Sequence, residues 1–205
     1  MDEDVLSPID LRDPATARQW ADEADRKRPW RAHIRSVIAD QLIAAGAKRV
    51  LELGSGPGQL AEAILARLAI DYTLFDFSPP MHELARQRVG DRATFVLGDY
   101  KQPGWSRDLG TFDAVVTMQA VHELRHKRHA VTLYREAAAI SPLLVVCDHE
   151  PAWQSTKTRF TEAQVRALSA TVDEQHAAMR AAGFSPTTVL DIEQMYVVTG
   201  TRAQT

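Results

Sequence analysis

Three glycines spaced two apart, Gly54, Gly56 and Gly58, follow the short apolar run at residues 50–53 and precede an apolar helical pattern. That order implies a strand, a turn tight enough to bring bare backbone against a ligand, and a helix N-terminus. A dinucleotide fingerprint would place its glycines first, third and sixth, so that the helix can receive a pyrophosphate. Here the sixth position is Gln59 and the third glycine falls fifth. Glu52, two residues before the first glycine, is a poor neighbour for phosphate and a good one for a cation. The turn therefore asks for a ligand with positive charge.

The 205 residues suffice for one domain with a full core and are short for two. At 45% hydrophobic residues the chain sits in the ordinary globular range, which argues against global disorder. A net charge of −3 leaves no molecule-wide electrostatic footprint for nucleic acid. The one cysteine, Cys147, lies in an apolar run and is expected as a buried thiol. The first 13 residues are acidic and polar, unlike a signal peptide, and no run approaches the roughly 18 apolar residues of a membrane span. A cytoplasmic protein without membrane contact is the expectation.

From residue 48 onward, short apolar runs alternate with helical patterns, the signature of βαβ units and a parallel sheet. Strands are expected at 49–53, 72–76, 94–97, 114–118, 143–148, 188–192 and 196–201. Helices are expected at 57–68, 79–89, 129–140 and 162–182, with Pro57 in the first turn of its helix. The last of these opens on a capping box, Thr161 with Gln164, carries the stripe Val165, Leu168, Val172 and Met179, and stops at Gly183. Residues 1–45 are more charged and read as one or two helices covering the sheet, while 48–201 form the core; no repeat or linker divides the chain.

The glycine turn with its preceding acid resembles the first motif of the class I S-adenosylmethionine-dependent methyltransferases. The cofactor of that family has no phosphate and carries a sulfonium and an ammonium. The resemblance implies an α/β fold: a Rossmann-like, seven-stranded, mostly parallel sheet with helices on both faces, an antiparallel last strand and here a helical N-terminal extension. It also implies that Glu52, Gly54, Ser55, Gly56 and Gly58 cradle the cofactor. Asp76, ending the second strand, would accept both ribose hydroxyls, and the following stretch, with Phe77 and Met81, would pack against adenine. Asp99 would receive the adenine amine beside Tyr100, and Gln119, after the fourth strand, would meet the amino acid moiety. Glu52, Asp76 and Asp99 end three successive strands on the sheet edge where open α/β sheets bind ligands.

Residues 122–126 read HELRH and match the HExxH zinc signature, but they begin at the mouth of a strand rather than inside a long helix. Only His149 offers a third ligand, so no metal is expected. With His129, and with residues 25–31 (DRKRPWR), the stretch makes two basic patches, read either as solvated surface or as a rim attracting an anionic substrate.

Methyl transfer from a sulfonium is an in-line displacement, for which a protein mainly orients the acceptor and excludes water. His122 is the first candidate for a general base and His149 the second. The motif of exocyclic-amine enzymes, the nucleophilic cysteine of cytosine-C5 enzymes and the aspartate of the catechol-type magnesium site are all missing at the matching positions, which read Met118-Gln119-Ala120-Val121-His122. A small-molecule acceptor methylated on O, N or S is expected. The alternatives are a protein or RNA acceptor, or a cofactor-binding regulator without transferase activity. Trp20, Trp30, Trp105 and Trp153 are candidates for an acceptor pocket or for the core.

Overall fold

Strict two-residue alternation along the strands builds the molecule's two apolar layers. Val50, Tyr72, Leu74, Ala114, Val116 and Cys147 point to one face of a sheet, and Leu51, Phe75, Val115, Leu144 and Val146 to the other. The computed structural model describes residues 3–155 and 160–202. Its sheet comprises β1 (Arg49–Leu53), β2 (Asp71–Asp76), β3 (Thr94–Leu97), β4 (Ala114–Met118), β5 (Leu143–His149), β6 (Ser185–Asp191) and β7 (Met195–Thr201). The spatial order is β3-β2-β1-β4-β5-β7-β6, with β1 to β5 parallel and β7 antiparallel to both neighbours. The reversal of strand order beside β1 is a topological switch point, which places a ligand crevice at the carboxyl ends of β1 and β4.

Helices α1 (Pro14–Lys27) and α2 (Arg31–Ala44) form the N-terminal cover. Helices α3 (Gln59–Leu65) and α4 (Pro79–Val89) join α2 on the first face, whose core includes Ile34, Ile38, Leu42, Leu60, Ile64 and Ala85. On the opposite face lie α5 (Ala130–Ile140) and α8 (Val172–Ala181), burying Leu133, Tyr134, Ala137 and Met179. The short α6 (Pro151–Ser155) and α7 (Glu162–Leu168) follow β5. No helix among the described residues is long and apolar enough to cross a membrane.

Several boundaries differ from the sequence expectation, and three of the differences have a clear local reason. Helix α3 starts at Gln59, because Gly58 is left-handed (φ 77°) and leaves Pro57 outside the helix. A Cβ at Gly58 would lie 3.0 Å from that of Ala85, so the glycine lets α3 and α4 pack closely. The expected helix at 162–182 is two helices: Ser169 turns extended and Thr171 opens a second capping box with Glu174. Strand β6 begins at Ser185, ahead of Pro186, which an edge strand accommodates. The capping box at Thr161 forms as expected, and Gly183 is left-handed (φ 90°) at the end of α8.

Candidate functional site

The glycine turn is stitched to the neighbouring strand from both sides. Gly54 N–H and Ser55 N–H donate to Phe75 O at 2.9 and 3.2 Å, and Gly56 N–H donates to Asp76 Oδ2 at 2.8 Å. Gly54 and Gly56 both have positive φ (65° and 53°). A Cβ on Gly54 would lie 2.6 Å from the Ala120 Cβ, while one on Gly56 would point into open space. Asp76 also accepts from Ser78 N–H at 2.9 Å through Oδ1, so one buried carboxylate fixes the turn and the start of α4 together. Burial raises its pKa, and the hydrogen bonds from Gly56 and Ser78 oppose that rise.

Glu52 is 3% exposed and accepts from the Tyr72 hydroxyl at 2.9 Å. Burial pushes its pKa up to about 8, so the carboxyl is mostly protonated at neutral pH. A group with a raised folded pKa stabilises the fold fully below its unfolded pKa near 4.5, and that contribution fades as pH rises through about 8. A cation arriving beside Glu52 would favour the carboxylate and expel a proton. Binding of a cationic ligand at pH 7 is therefore expected to release close to one proton, read from calorimetric heats in buffers of different ionisation enthalpy. Glu52→Gln should abolish the buffer dependence.

Beyond β4 the chain bends sharply. Gln119 has a positive φ (58°), and residues Val121–Leu124 form a single 3-10 turn ended by Arg125 in left-handed geometry (φ 68°). His122 is placed by Asp148 at the end of β5. Its ring Nδ1–H donates to Asp148 Oδ1 at 2.7 Å, and its backbone N–H donates to Oδ2 at 3.0 Å. Its Nε2 lies 3.4 Å from Glu123 Oε1. Burial opposes the charged ring, but Asp148 and Glu123 outweigh it and push the His122 pKa up to about 10. Against its own burial, the His122 ring and Arg125 pull Glu123 down to about 2. His149 behaves oppositely: burial and the nearby His122 cation push it down to about 3. Its Nε2 accepts from the Gln119 amide at 2.8 Å, which leaves the proton of this neutral ring on Nδ1.

Ligand-type atoms of His122, Asp148 and His149 lie within 4.8 Å of one another, the one such group among the described residues. Within it His122 donates to Asp148, and His149 is engaged by Gln119. The HExxH match dissolves in the same geometry. Without an α-helix there, His126 is not one turn above His122; its ring sits 6.4 Å from that of His129. Arg125 instead anchors the N-terminal segment, donating to Val5 O and Leu6 O at 2.6 Å and to Glu123 at 3.0 Å. Arg128 and His129 pair with Asp4, and Lys127 with Glu174, so this basic cluster fastens the chain to itself.

These groups share one cavity of about 360 Å³ at the carboxyl edge of the sheet. Glu52, Gly54, Ser55, Gly56, Asp76 and Phe77 line it, as do Met81, Tyr100, Gln119, His122 and His149. Tyr100 is fixed by donating its hydroxyl to Ala120 O at 2.8 Å. Gly58 and Asp99 are not among its wall residues; Asp99 Oδ1 accepts from Lys101 N–H at 3.0 Å. Of the tryptophans, Trp20 lines the cavity, Trp105 packs on Phe75 and Trp30 on the core beneath α2; the Trp153 side chain lies outside the described residues.

The sequence reading missed the wall formed by residues 7–12, an irregular segment held by Arg125 at one end and, through Leu11 O, by the Ser78 hydroxyl at the other. It also missed Asp148, Glu123 and Arg31. Asp148 carried a readable signal, a carboxylate at the tip of an otherwise apolar strand.

Residues 50–141 match the family model described as a methyltransferase domain. The chain is 31% identical over 99 residues to an uncharacterized methyltransferase of Bacillus velezensis, covering 47% of this chain and 45% of that relative. It thus spans about half the length of this curated relative. Among solved structures it is similar to an O-methyltransferase family protein from Burkholderia thailandensis, with a TM-score of 0.73 and 17% identity over 94% of this chain and 61% of that one. It is also similar to magnesium protoporphyrin IX methyltransferase from Synechocystis with bound SAH, with a TM-score of 0.64 and 16% identity over 86% and 85% of the two chains.

Proposed function

On the premise that residues 50–141 form a methyltransferase domain, whose cofactor is S-adenosylmethionine, we propose that the chain transfers a methyl group to O, N or S of a small-molecule acceptor. The residues present fit that cofactor. Gly56 leaves open space where a side chain would stand, and Ser55 Oγ and Gln59 Oε1 are buried in the cavity wall without a hydrogen-bond partner. Glu52 offers a carboxylate to an ammonium, and Asp76 keeps lone pairs for ribose hydroxyls beyond its two backbone contacts. The bound cofactor would supply an activated methyl group.

One observation carries the reading: the glycine turn with its two carboxylates and His122, which Asp148 holds, line the same cavity. A site walled on one side by the anchored residues 7–12 suits a small acceptor better than a folded macromolecule. Asp148 orients His122 and raises its proton affinity. In the neutral ring, whose Nδ1–H stays on Asp148, Nε2 carries the lone pair that takes a proton from the acceptor as the methyl group arrives, beside Glu123. His149, neutral and held by the Gln119 amide, does not compete for that proton.

Two measurements test this. Calorimetric titration with S-adenosylhomocysteine should give one site per chain. Transfer of labelled methyl to a panel of small phenols, amines and thiols should then produce turnover. Binding without turnover on small acceptors, but with label entering protein or RNA, would overturn the small-molecule reading. Binding without any transfer would leave a cofactor-dependent regulator.

A further inference from the structure

Arg31, at the start of α2, is an unusual cavity wall. It is 5% exposed, and its Nε and Nη1 are buried without a hydrogen-bond partner. Its nearest carboxylate, Asp25, lies 3.6 Å from Nη1 and is already engaged by Arg35 through two hydrogen bonds of 2.9 and 3.1 Å. Asp25 thus stands between two guanidinium groups and neutralises one. The face of Trp20, 5.7 Å from the Arg31 guanidinium, adds only a weak attraction. Glu52 lines the same cavity but is largely protonated at neutral pH. Arg28 lines it too and adds a second positive charge. A buried cation without full compensation is expensive for a fold to keep, and a planar guanidinium is shaped to take a carboxylate through two parallel bonds.

We propose that Arg31, with Arg28 beside it, is a carboxylate-binding subsite of this cavity. The assignment rests on the proposed cofactor site, and the carboxylate has two possible sources: the amino acid end of the cofactor or an anionic acceptor. Either one supplies the counter-charge that Asp25 cannot share.

The test compares wild type with Arg31→Met, which keeps bulk and removes charge, and with Arg31→Lys, which keeps charge and loses the fork. The probes are S-adenosylhomocysteine, 5′-methylthioadenosine, which lacks the amino acid end, and 4-hydroxybenzoate with its methyl ester. If the cofactor is the source, Arg31→Met weakens S-adenosylhomocysteine about 10- to 100-fold and leaves methylthioadenosine within about twofold, with Arg31→Lys between. If an acceptor is the source, both nucleosides bind unchanged. The free acid, and not its ester, then raises the melting temperature of wild type, and Arg31→Met abolishes that rise. In either case ligand-free Arg31→Met melts no lower than wild type, because the uncompensated charge is gone. Equal loss of both nucleosides, no change with any probe, or a large drop in the ligand-free melting temperature would overturn the assignment. Wild type that binds neither nucleoside contradicts the cofactor reading instead, and the acid–ester pair still judges Arg31.

Discussion

His122→Ala is expected to lower kcat by a factor of about 10²–10⁴ while changing affinity for S-adenosylhomocysteine by less than about threefold. The ring lies on the acceptor side of the proposed site, where Asp148 holds it at 2.7 Å. Steady-state kinetics beside a binding titration separates the two effects; an unchanged kcat would rule His122 out as the base. The substitution also leaves the buried Asp148 without its partner, so activity should be compared at a temperature where circular dichroism shows both proteins folded.

The pH dependence carries a sign that distinguishes this base from an ordinary histidine. With its pKa raised to about 10, His122 is mostly imidazolium at pH 7, so the active neutral fraction grows about tenfold per pH unit until the pKa is reached. Turnover should climb from pH 7 towards 10 rather than level off near 6.5. Asp148→Asn removes the chief support of the charged ring, and the rising limb should move to lower pH. Stability follows the complementary course. The contribution of the pair is fully present below the unfolded pKa of 6.5 and disappears as pH rises through about 10, so the melting-temperature gap between wild type and Asp148→Asn should narrow there. A limb that stays in place in Asp148→Asn would show that another group titrates.

Asp76→Ala should weaken S-adenosylhomocysteine at least about tenfold, because the carboxylate organises the turn besides facing the ligand. Its two oxygens hold Gly56 N–H and Ser78 N–H, and removing them leaves both donors without partners, at roughly 1–3 kcal/mol for each one that stays buried. Asp76→Asn keeps the shape but has a single acceptor oxygen, so it should fall between alanine and wild type. Affinity that is unchanged in Asp76→Ala would sink both the ribose contact and the scaffolding role.

Elements with a strong local signature were legible in the chain. The bounds of β1, β3, β4 and α4 follow from apolar runs and from the Ser78-Pro79-Pro80 start signal, and the antiparallel last strand follows the family pattern. The turn after β1 and Asp76 at the end of β2 fall on one sheet edge as the strand ends implied, while the hydrogen bond from Gly56 N–H to Asp76 is seen only in the fold. Features decided by distant contacts were not legible. Residues 7–12 have no periodicity, and their place depends on Arg125, more than a hundred positions away. Arg31 reads as one more charge in DRKRPWR, and only folding shows that α2 buries it against the cavity. His122 suggested a base of ordinary pKa; Asp148, brought from the next strand, changes that. The split between α7 and α8 was written in the sequence as Thr171-x-x-Glu174, a second capping box hidden by the apolar stripe running across it.

The most direct test of the central claim is a calorimetric titration of the wild-type chain with S-adenosylhomocysteine at pH 7, repeated in two buffers of different ionisation enthalpy. A cofactor site built around Glu52, the glycine turn and Asp76 predicts one site per chain and heats that differ between the buffers by close to one proton. A folded protein that gives no binding heat at millimolar ligand in either buffer would contradict it.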